Sequence, residues 1–322
     1  MHTTDTDIKI RSRRLLASWR QGIIYLGFLG IFAVFCVTLH GQGFLDPENL
    51  LNIVRQTTMI SIMAVAMTFV LSSGEIDLSV GAVAGLASVV TALTIRSLGM
   101  GAGIMAGIAT GLLVGAVNGL LITRVRIPSF LTTLAMMGIA RGAAMWVSGT
   151  AAIPILSDRY AWFFGGGNLG PVPVLLLWTM IFGVVGHVAL RRTSFGRRVL
   201  ATGGGETAAR YSGINTSGIK ARVMLLSGFA AAIAGMLYAG RMQSGRFQFG
   251  EGDELSVIAS AVLGGTSLFG GVGTVVGSII GALMIGLINN GLTLMGLEYS
   301  QQHIARGAII ILAVAIGTQK RR

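Results

Sequence analysis

Two carboxylates occur in the stretch GEIDLSVG, residues 74–81, between the apolar runs MAVAMTFVLSS and AVAGLASVVTALTI. Acids in such surroundings can bind a substrate or an ion, or they can accept backbone N–H groups where a helix begins. Asp77 is followed by LSV, which is typical of a helix start, so we favour a capping role for Asp77. We expect Glu75 to be the more solvent-facing acid, and both acids to lie at a break between two membrane helices.

Two arginines also occur within apolar runs, Arg141 in GIARGA and Arg306 in HIARGA. A charged residue near the bilayer centre costs about 2.5 to 3.5 kcal/mol on insertion scales, so each arginine must face protein, water or headgroups. Either arginine can serve a pathway through the protein, or its side chain can extend to a membrane surface. We keep both as candidate pathway or gate residues.

The composition is that of a membrane protein. The 322 residues are 53% hydrophobic and 11% charged, and apolar runs near the length that spans a bilayer recur throughout. The net charge of +12 could suggest nucleic acid, but 15 of the 24 Lys and Arg residues cluster in three places that abut predicted membrane ends. The charge therefore indicates the positive-inside bias of a multi-pass membrane protein, with no nucleic-acid partner.

The sequence argues against several kinds of chemistry. Cys36 is the single cysteine, and the four histidines are too widely spaced to form a metal-ligand cluster. No GxxxxGK[ST] phosphate loop occurs, and no nucleophile lies beside a base. We therefore predict a transporter component without metal or cofactor, and not an enzyme.

The basic clusters, taken as cytoplasmic markers, predict a single all-α transmembrane domain over residues 1–322, with both termini in the cytoplasm. Residues 1–19 form a basic cytoplasmic segment, and residues 191–219 form a cytoplasmic loop. The ten predicted segments are 20–39, 50–72, 78–96, 102–122, 128–148, 173–190, 219–240, 255–268, 273–296 and 303–318. Segment 255–268 is too short to cross as a helix, so we expect a half-helix buried in protein.

Glycine recurs at every fourth residue of the fourth segment, from Gly99 to Gly119, and again at Gly273, Gly277 and Gly281. A smooth glycine face lets another membrane helix approach closely. We expect both segments to pack tightly against a neighbour through these faces.

An internal repeat relates segments 2–5 to segments 7–10. GEIDLSV (74–80) matches GEGDELSV (250–257), GAVNGL (115–120) matches GLINNGL (286–292), and GIARGA (138–143) matches HIARGA (303–308). Five segments separate the copies, so one copy is inverted relative to the other, and the pathway is expected at the interface of the halves. The candidate pathway residues are then Glu75, Asp77, Asn118, Arg141, Asn289, Asn290 and Arg306.

The cytoplasmic stretch from Arg191 to Lys220 is patterned more strongly than a linker. GETAARYSG has a short helical core, with Gly205 before it and Gly213 after it. Such a punctuated segment suits a docking surface for a partner protein.

Four stretches resemble, in order and over nearly the whole chain, the membrane permeases of ribose-type ABC sugar importers. They are MAVAMTFVLSSGEIDLSVGAVAGL, IPSFLTTLAMMGIARGAA, LATGGGETAARYSGINTSGIK and ELSVIASAVLGGTSLFGGVGTVVGSIIGALMIGLINNGL. Two positions depart from the family pattern, which usually reads GGIDLSVG where this chain has Glu75, and GGNE where it has Gly205.

The resemblance implies a ten-helix permease in the bacterial inner (plasma) membrane that pairs with a second copy or a paralogue. It also implies a periplasmic or extracellular sugar-binding protein and a separate ATP-binding subunit. The family's coupling segment maps onto Glu206, Ala208, Ala209, Arg210 and Gly213.

Two questions stay open at the level of sequence. The chain can instead be a proton-coupled secondary transporter that uses Glu75 or Asp77 and needs no partner. Asn118 and Asn290 carry donors and acceptors that suit sugar hydroxyls, but the same groups can hold helices together.

Overall fold

The computed structural model describes residues 25–298, 300–302, 304–305 and 307–308, and within these ranges the fold is almost entirely α-helical. The helices are α1 (Tyr25–Thr38), α2 (Pro47–Ser72), α3 (Val80–Leu98), α4 (Met100–Leu120), α5 (Ser129–Ser148), α6 (Asp158–Ala161), α7 (Val174–Arg192), α8 (Ser194–Gly204), α9 (Glu206–Tyr211), α10 (Thr216–Arg241), α11 (Asp253–Leu263) and α12 (Val275–Leu294). A π-helical turn, Leu121–Val125, continues α4, and another, Trp162–Gly166, follows α6.

Within the described residues, four two-residue strands lie in the connections between helices. β1 (Ile153–Pro154) pairs antiparallel with β4 (Ser244–Gly245), and β2 (Asn168–Leu169) pairs antiparallel with β3 (Val172–Pro173). The first pair joins the connection after α5 to the connection after α10. It therefore fixes the chain where it leaves α10.

Seven of the described helices are long and apolar enough to cross a bilayer. They are α2, α3, α4, α5, α7, α10 and α12, and each coincides with a predicted segment. α1 is shorter than these seven helices, and the predicted segment 20–39 that contains it begins before the described residues. The predicted segment 303–318 lies largely outside the described residues. The prediction of a multi-pass all-α membrane protein is confirmed at this level.

The predicted half-helix corresponds to α11, which is eleven residues long and largely buried. Before it, the non-helical stretch 246–252 runs along α3, where Gly85 contacts the carbonyl groups of Phe247 and Phe249. At the end of α11, Gly264 packs directly on Gly277 of α12. Non-helical backbone is tolerated at such positions because surrounding protein covers it.

The glycine face of α4 packs against α10, as the four-residue spacing predicts. Gly111 and Gly228 meet so closely that a Cβ on either residue would collide with the carbonyl oxygen of the other. One turn further along, Gly115 lies against the backbone of Met224. Close approach of this kind maximises van der Waals contact, which is the main attraction between helices in a membrane.

Two helices form the centre of the fold and two lie at its periphery. In the most apolar 18-residue stretch of each helix, 83% of the residues of α2 and 78% of those of α10 are buried, compared with 28% in α5 and in α7. α2 and α10 therefore provide the fixed frame for polar residues, while α5 and α7 present outer faces.

Candidate functional site

The site begins where α2 ends, at Gly74. Gly74 has φ +84°, its N–H donates to Leu71 O (2.9 Å), and the N–H of Glu75 donates to Val70 O (3.1 Å). This pair of bonds is the Schellman motif, which closes a helix with a left-handed residue, usually glycine. The turn places Glu75 at the start of a short non-helical segment, residues 75–79.

The backbone of this non-helical segment is hydrogen-bonded to α5. The N–H of Ile76 donates to Ser129 Oγ (3.2 Å), and the N–H of Leu78 donates to Thr133 Oγ1 (3.0 Å). A buried backbone N–H without a helical partner costs free energy unless a side chain accepts from it. The spacing of four residues puts both hydroxyls on one face of α5, where they bind the break.

Asp77 accepts three hydrogen bonds and is 2% exposed. Its Oδ1 accepts from the N–H of Ser79 (2.9 Å) and from Ser79 Oγ (2.6 Å), and its Oδ2 accepts from Ser227 Oγ of α10 (2.6 Å). The bond from the backbone of Ser79 fixes the turn just before α3; within the described residues the first turn of α3 receives no capping bond from a side chain, so the capping role of Asp77 stays a prediction. Asp77 thus fixes the start of α3 and joins it to α10.

Asn118 extends this network to α4. It is 1% exposed, and its Nδ2 donates to Ser79 Oγ (3.1 Å). Within the described residues its Oδ1 has no hydrogen-bond partner. Asn118, Ser79, Asp77 and Ser227 therefore form one chain of polar contacts that crosses from α4 to α10.

Glu75 was predicted to be the freer and more solvent-facing of the two acids; it is slightly more exposed than Asp77, but both acids are buried. Glu75 is 6% exposed, and its Oε1 lies 2.7 Å from the Nζ of Lys220, in the second turn of α10. Glu75 can be buried because this ammonium group compensates its charge. Lys220 is not among the predicted site residues, although a lone lysine at the start of an apolar helix was the available signal.

The same ammonium group also binds the polar loop between α7 and α10. Lys220 Nζ donates to Oε2 of Glu206 (2.7 Å), the first residue of α9. Oε1 of Glu206 accepts from Arg210 Nη2 (3.0 Å) and from Thr216 Oγ1 (3.2 Å). The hydrogen bond from Lys220 is the largest cause that lowers the pKa of Glu206 below its ordinary value, against desolvation, which raises it.

The predicted coupling residues all lie on or next to α9. Ala209 is buried, whereas Ala208 and Arg210 are exposed, and Gly213 follows the end of the helix. The predicted helical core of GETAARYSG is confirmed, and it lies directly beside the first turn of α10.

Arg141 lies on α5, apart from this network. Its Nη1 donates to Oε1 of Glu251 at 3.0 Å, and the two side chains are 28% and 58% exposed. Its Nε is buried and has no partner within the described part of the chain. Glu251 was not predicted as a partner, because nothing in the sequence relates it to Arg141. Arg306 lies outside the described residues.

Asn290 belongs to a different contact from Asn118. Its Nδ2 donates to Asn49 Oδ1 (2.8 Å), and Asn49 Nδ2 donates back to Asn290 Oδ1 (3.1 Å), which ties α12 to α2. Asn289 is half-buried beside it. The structure thus brings Glu75, Asp77 and Asn118 to one break, and places Arg141 and Asn290 in two separate contacts.

Polar residues that converge on a break between membrane helices, next to a structured polar loop, are typical of the membrane component of a transporter. A family profile described as "Branched-chain amino acid transport system / permease component" matches residues 49–314. This chain belongs to that permease family.

Three relatives show the similarity in detail. The ribose import permease protein RbsC of Bacillus subtilis (strain 168) is 41% identical over 296 residues, which cover 91% of this chain and 92% of the relative. The L-arabinose ABC transporter permease protein AraH of Azospirillum brasilense is 39% identical, with 94% and 88% covered. RbsC of Escherichia coli (strain K12) is 40% identical, with 88% and 90% covered. The resemblance seen in the sequence is thereby confirmed.

Proposed function

We infer that this chain is the transmembrane permease subunit of an ATP-driven importer for a monosaccharide or a related polyol. The observation that carries this function is the identity of about two residues in five, over about nine-tenths of the chain, with permeases named for ribose and L-arabinose. A separate ATP-binding subunit supplies the energy, and a periplasmic or extracellular binding protein delivers the sugar.

The function is tested by reconstitution into liposomes. The permease is combined with the ATP-binding subunit and the sugar-binding protein that co-purify with it, and uptake of labelled ribose, arabinose and related sugars is measured. We expect uptake to require ATP and the binding protein. Sugar uptake by the permease alone, driven by a proton gradient, would overturn the importer.

The ATP-binding subunit contacts the loop 191–219 in this proposal. α9 carries exposed groups on its outer side, including Ala208, Arg210 and Tyr211, which is 89% exposed. Its inner side is held to α10 through Glu206, so a force applied to α9 reaches the membrane domain. Glu206, Ala208, Ala209, Arg210 and Gly213 are therefore the proposed coupling residues.

The proposed architecture has ten segments in two inverted halves, both termini in the cytoplasm, and lies in a bacterial inner membrane. Helix directions support the inversion. α3 runs parallel to α10, because Asp77, just before α3, meets Ser227, and Ala84 of α3 meets Gly235 further along α10. α4 runs antiparallel to α10, since Gly111 and Gly115 face Gly228 and Met224.

The matching helices of the second half run the opposite way. α12 is antiparallel to α2, because Gly273 lies at Ser72 and Gly286 at Thr57. If α2 and α3, as consecutive spans, cross in opposite directions, then α2 and α4 point opposite to their proposed counterparts α10 and α12. The proposed pathway lies between the halves, with Glu75, Asp77, Asn118, Arg141, Asn289, Asn290 and Arg306 as its candidate residues, and is completed by a second permease copy or paralogue.

The alternative is a proton-coupled secondary transporter in which Glu75 or Asp77 carries the proton. The contacts of both acids favour the importer. Glu75 is held in an ion pair and Asp77 accepts three hydrogen bonds, so protonation of either acid would disrupt contacts that hold the break. The liposome experiment separates the two functions by the energy source that supports uptake.

A further inference from the structure

One ammonium group joins two carboxylates that belong to different parts of the protein. Lys220 Nζ lies 2.7 Å from Oε1 of Glu75 and 2.7 Å from Oε2 of Glu206. The side chains of Glu75 and Lys220 are 8% and 18% exposed, and that of Glu206 is 37% exposed. The bridge therefore runs from a buried break between membrane helices to a helix on the protein surface.

The inner end of the bridge is attached to a rigid segment. Glu75 belongs to the same five-residue stretch as Asp77 and Ser79, which are bonded to Ser227 of α10 and to Asn118 of α4. The stretch is too short and too completely bonded for Glu75 to move alone. A displacement of its backbone therefore strains the bonds that fix the start of α3.

The outer end is attached equally firmly. Glu206 is the first residue of α9, and Thr216, the first residue of α10, donates to it. A movement of α9 therefore carries Glu206 with it and pulls on the ammonium group. Since Lys220 donates to Glu206 and is ion-paired with Glu75, and an ammonium group has three N–H donors, the pull is passed to Glu75 without a change of partners.

We propose that Lys220 is a positioning residue that transmits the movement of α9 through Glu75 to the break between α2 and α3, so that energy spent at α9 opens the pathway. This rests on the proposed function, because it needs an ATP-binding subunit that moves α9. Lys220 does not touch the transported sugar in this mechanism. It connects the coupling segment to the site.

The test measures the sugar transported per ATP hydrolysed in the reconstituted complex. Glu75→Leu removes the inner acceptor and leaves Lys220 paired with Glu206. We expect the ratio to fall by about fivefold or more, the lower end of typical coupling free energies between sites. A purely structural bridge would lower the amount of folded permease and leave the ratio unchanged.

A matched control loosens the same region without touching the bridge. Thr68→Val removes a buried 2.6 Å hydrogen bond between Thr68 Oγ1 of α2 and Ser278 Oγ of α12, about one turn before the end of α2. We expect it to lower the melting temperature with the transport ratio intact. An equal fall of the ratio in Thr68→Val would overturn the proposal, as would an unchanged ratio in Glu75→Leu.

A second variant and the unaltered complex cover the cases in which Glu75→Leu does not fold or the proposed function fails. If Glu75→Leu does not fold, Glu75→Gln keeps the size and one acceptor oxygen of the side chain, and we expect a smaller fall in the ratio. An unchanged ratio in that variant would then contradict the proposal. Failure of the proposed function is recognised separately, because the unaltered complex would then show no ATP-dependent uptake.

Discussion

The motif GEIDLSV before α3 and the motif GEGDELSV before α11 place the same residue types in different environments. In each motif the aspartate accepts a 2.6 Å hydrogen bond from a hydroxyl group of α10, Ser227 for Asp77 and Tyr238 for Asp253. The glutamates differ. Glu75 is buried against Lys220, whereas Glu251 pairs with Arg141 and remains 58% exposed.

The positions on α10 explain what the two motifs share. Ser227 and Tyr238 are eleven residues apart, which is close to three full turns, so both hydroxyls lie on one side of the helix. Lys220 precedes Ser227 by seven residues, close to two turns, and lies on the same side. One stripe of α10 therefore holds both breaks in the membrane domain.

The remaining contacts explain how the two motifs differ. Ser79 accepts from Asn118, whereas the corresponding Ser256 Oγ is buried with no partner in the part of the chain that the structure describes. Asn290, which corresponds to Asn118, pairs with Asn49 instead. Repeated sequence thus preserves the bond to α10 but not the surrounding network.

The largest expected effect is the difference in stability lost when each of the two ion pairs is broken separately. Lys220→Met leaves Glu75 buried beside no positive charge, and we expect a loss of about 3 kcal/mol, as for other buried pairs with one partner removed. Arg141→Met removes a half-exposed pair, whose loss costs less than about 1 kcal/mol because water replaces the partner. The free energy of unfolding of both variants is measured in the same detergent. Equal losses would contradict the difference between the motifs.

The second prediction tests α10 as the common support of both motifs. Gly228→Ala puts a Cβ against the carbonyl oxygen of Gly111, so α4 and α10 must separate. We expect a loss of about 2 kcal/mol, within the range for overpacked sites. Gly138→Ala on α5 is the control, because a Cβ there meets nothing within 4 Å. The melting temperature of Gly228→Ala should fall well below that of the control, and similar values would refute the close contact.

These two predictions also mark what the sequence could and could not provide. The length of the apolar runs predicted ten segments, seven of which coincide with long apolar helices among the described residues, and the spacing of glycines predicted the face that α4 turns to α10. The partner of Glu75 could not be predicted, because it depends on how α10 packs beside α3. The reciprocal pair of Asn49 and Asn290 was missed for the same reason. Local patterns predict elements, whereas pairs between distant elements depend on the packing of the whole domain.

The third prediction compares the glycines that precede the two glutamates. Gly74 and Gly250 both have left-handed backbone, with φ +84° and +77°. A Cβ at Gly74 meets only ordinary contact with Gly203, so Gly74→Ala should cost about 1 kcal/mol for the backbone conformation alone. At Gly250 a Cβ would also press against the backbone of Gly81 in α3. Gly250→Ala should therefore lower the melting temperature further, and the reverse order would show that the second break is the looser one.

The smallest expected effect is the response of α9 to acid. Of the two motifs, we expect only the first to be involved, because Lys220 joins its Glu75 to Glu206 of α9. The hydrogen bond from Lys220 holds the pKa of Glu206 below its ordinary value of 4.5. The folded protein therefore stabilises the charged carboxylate relative to the unfolded chain. A lowered pKa contributes stability that is complete above about pH 4.5 and is lost as the pH falls through the lower, folded value. Glu206 is 37% exposed, so solvent screening keeps this contribution small. Hydrogen exchange of the α9 amides, corrected for the intrinsic rate at each pH, should accelerate only when the pH falls below about 4.5. Glu206→Gln should show no such acceleration, and an acid response that persists in Glu206→Gln would assign it to another group.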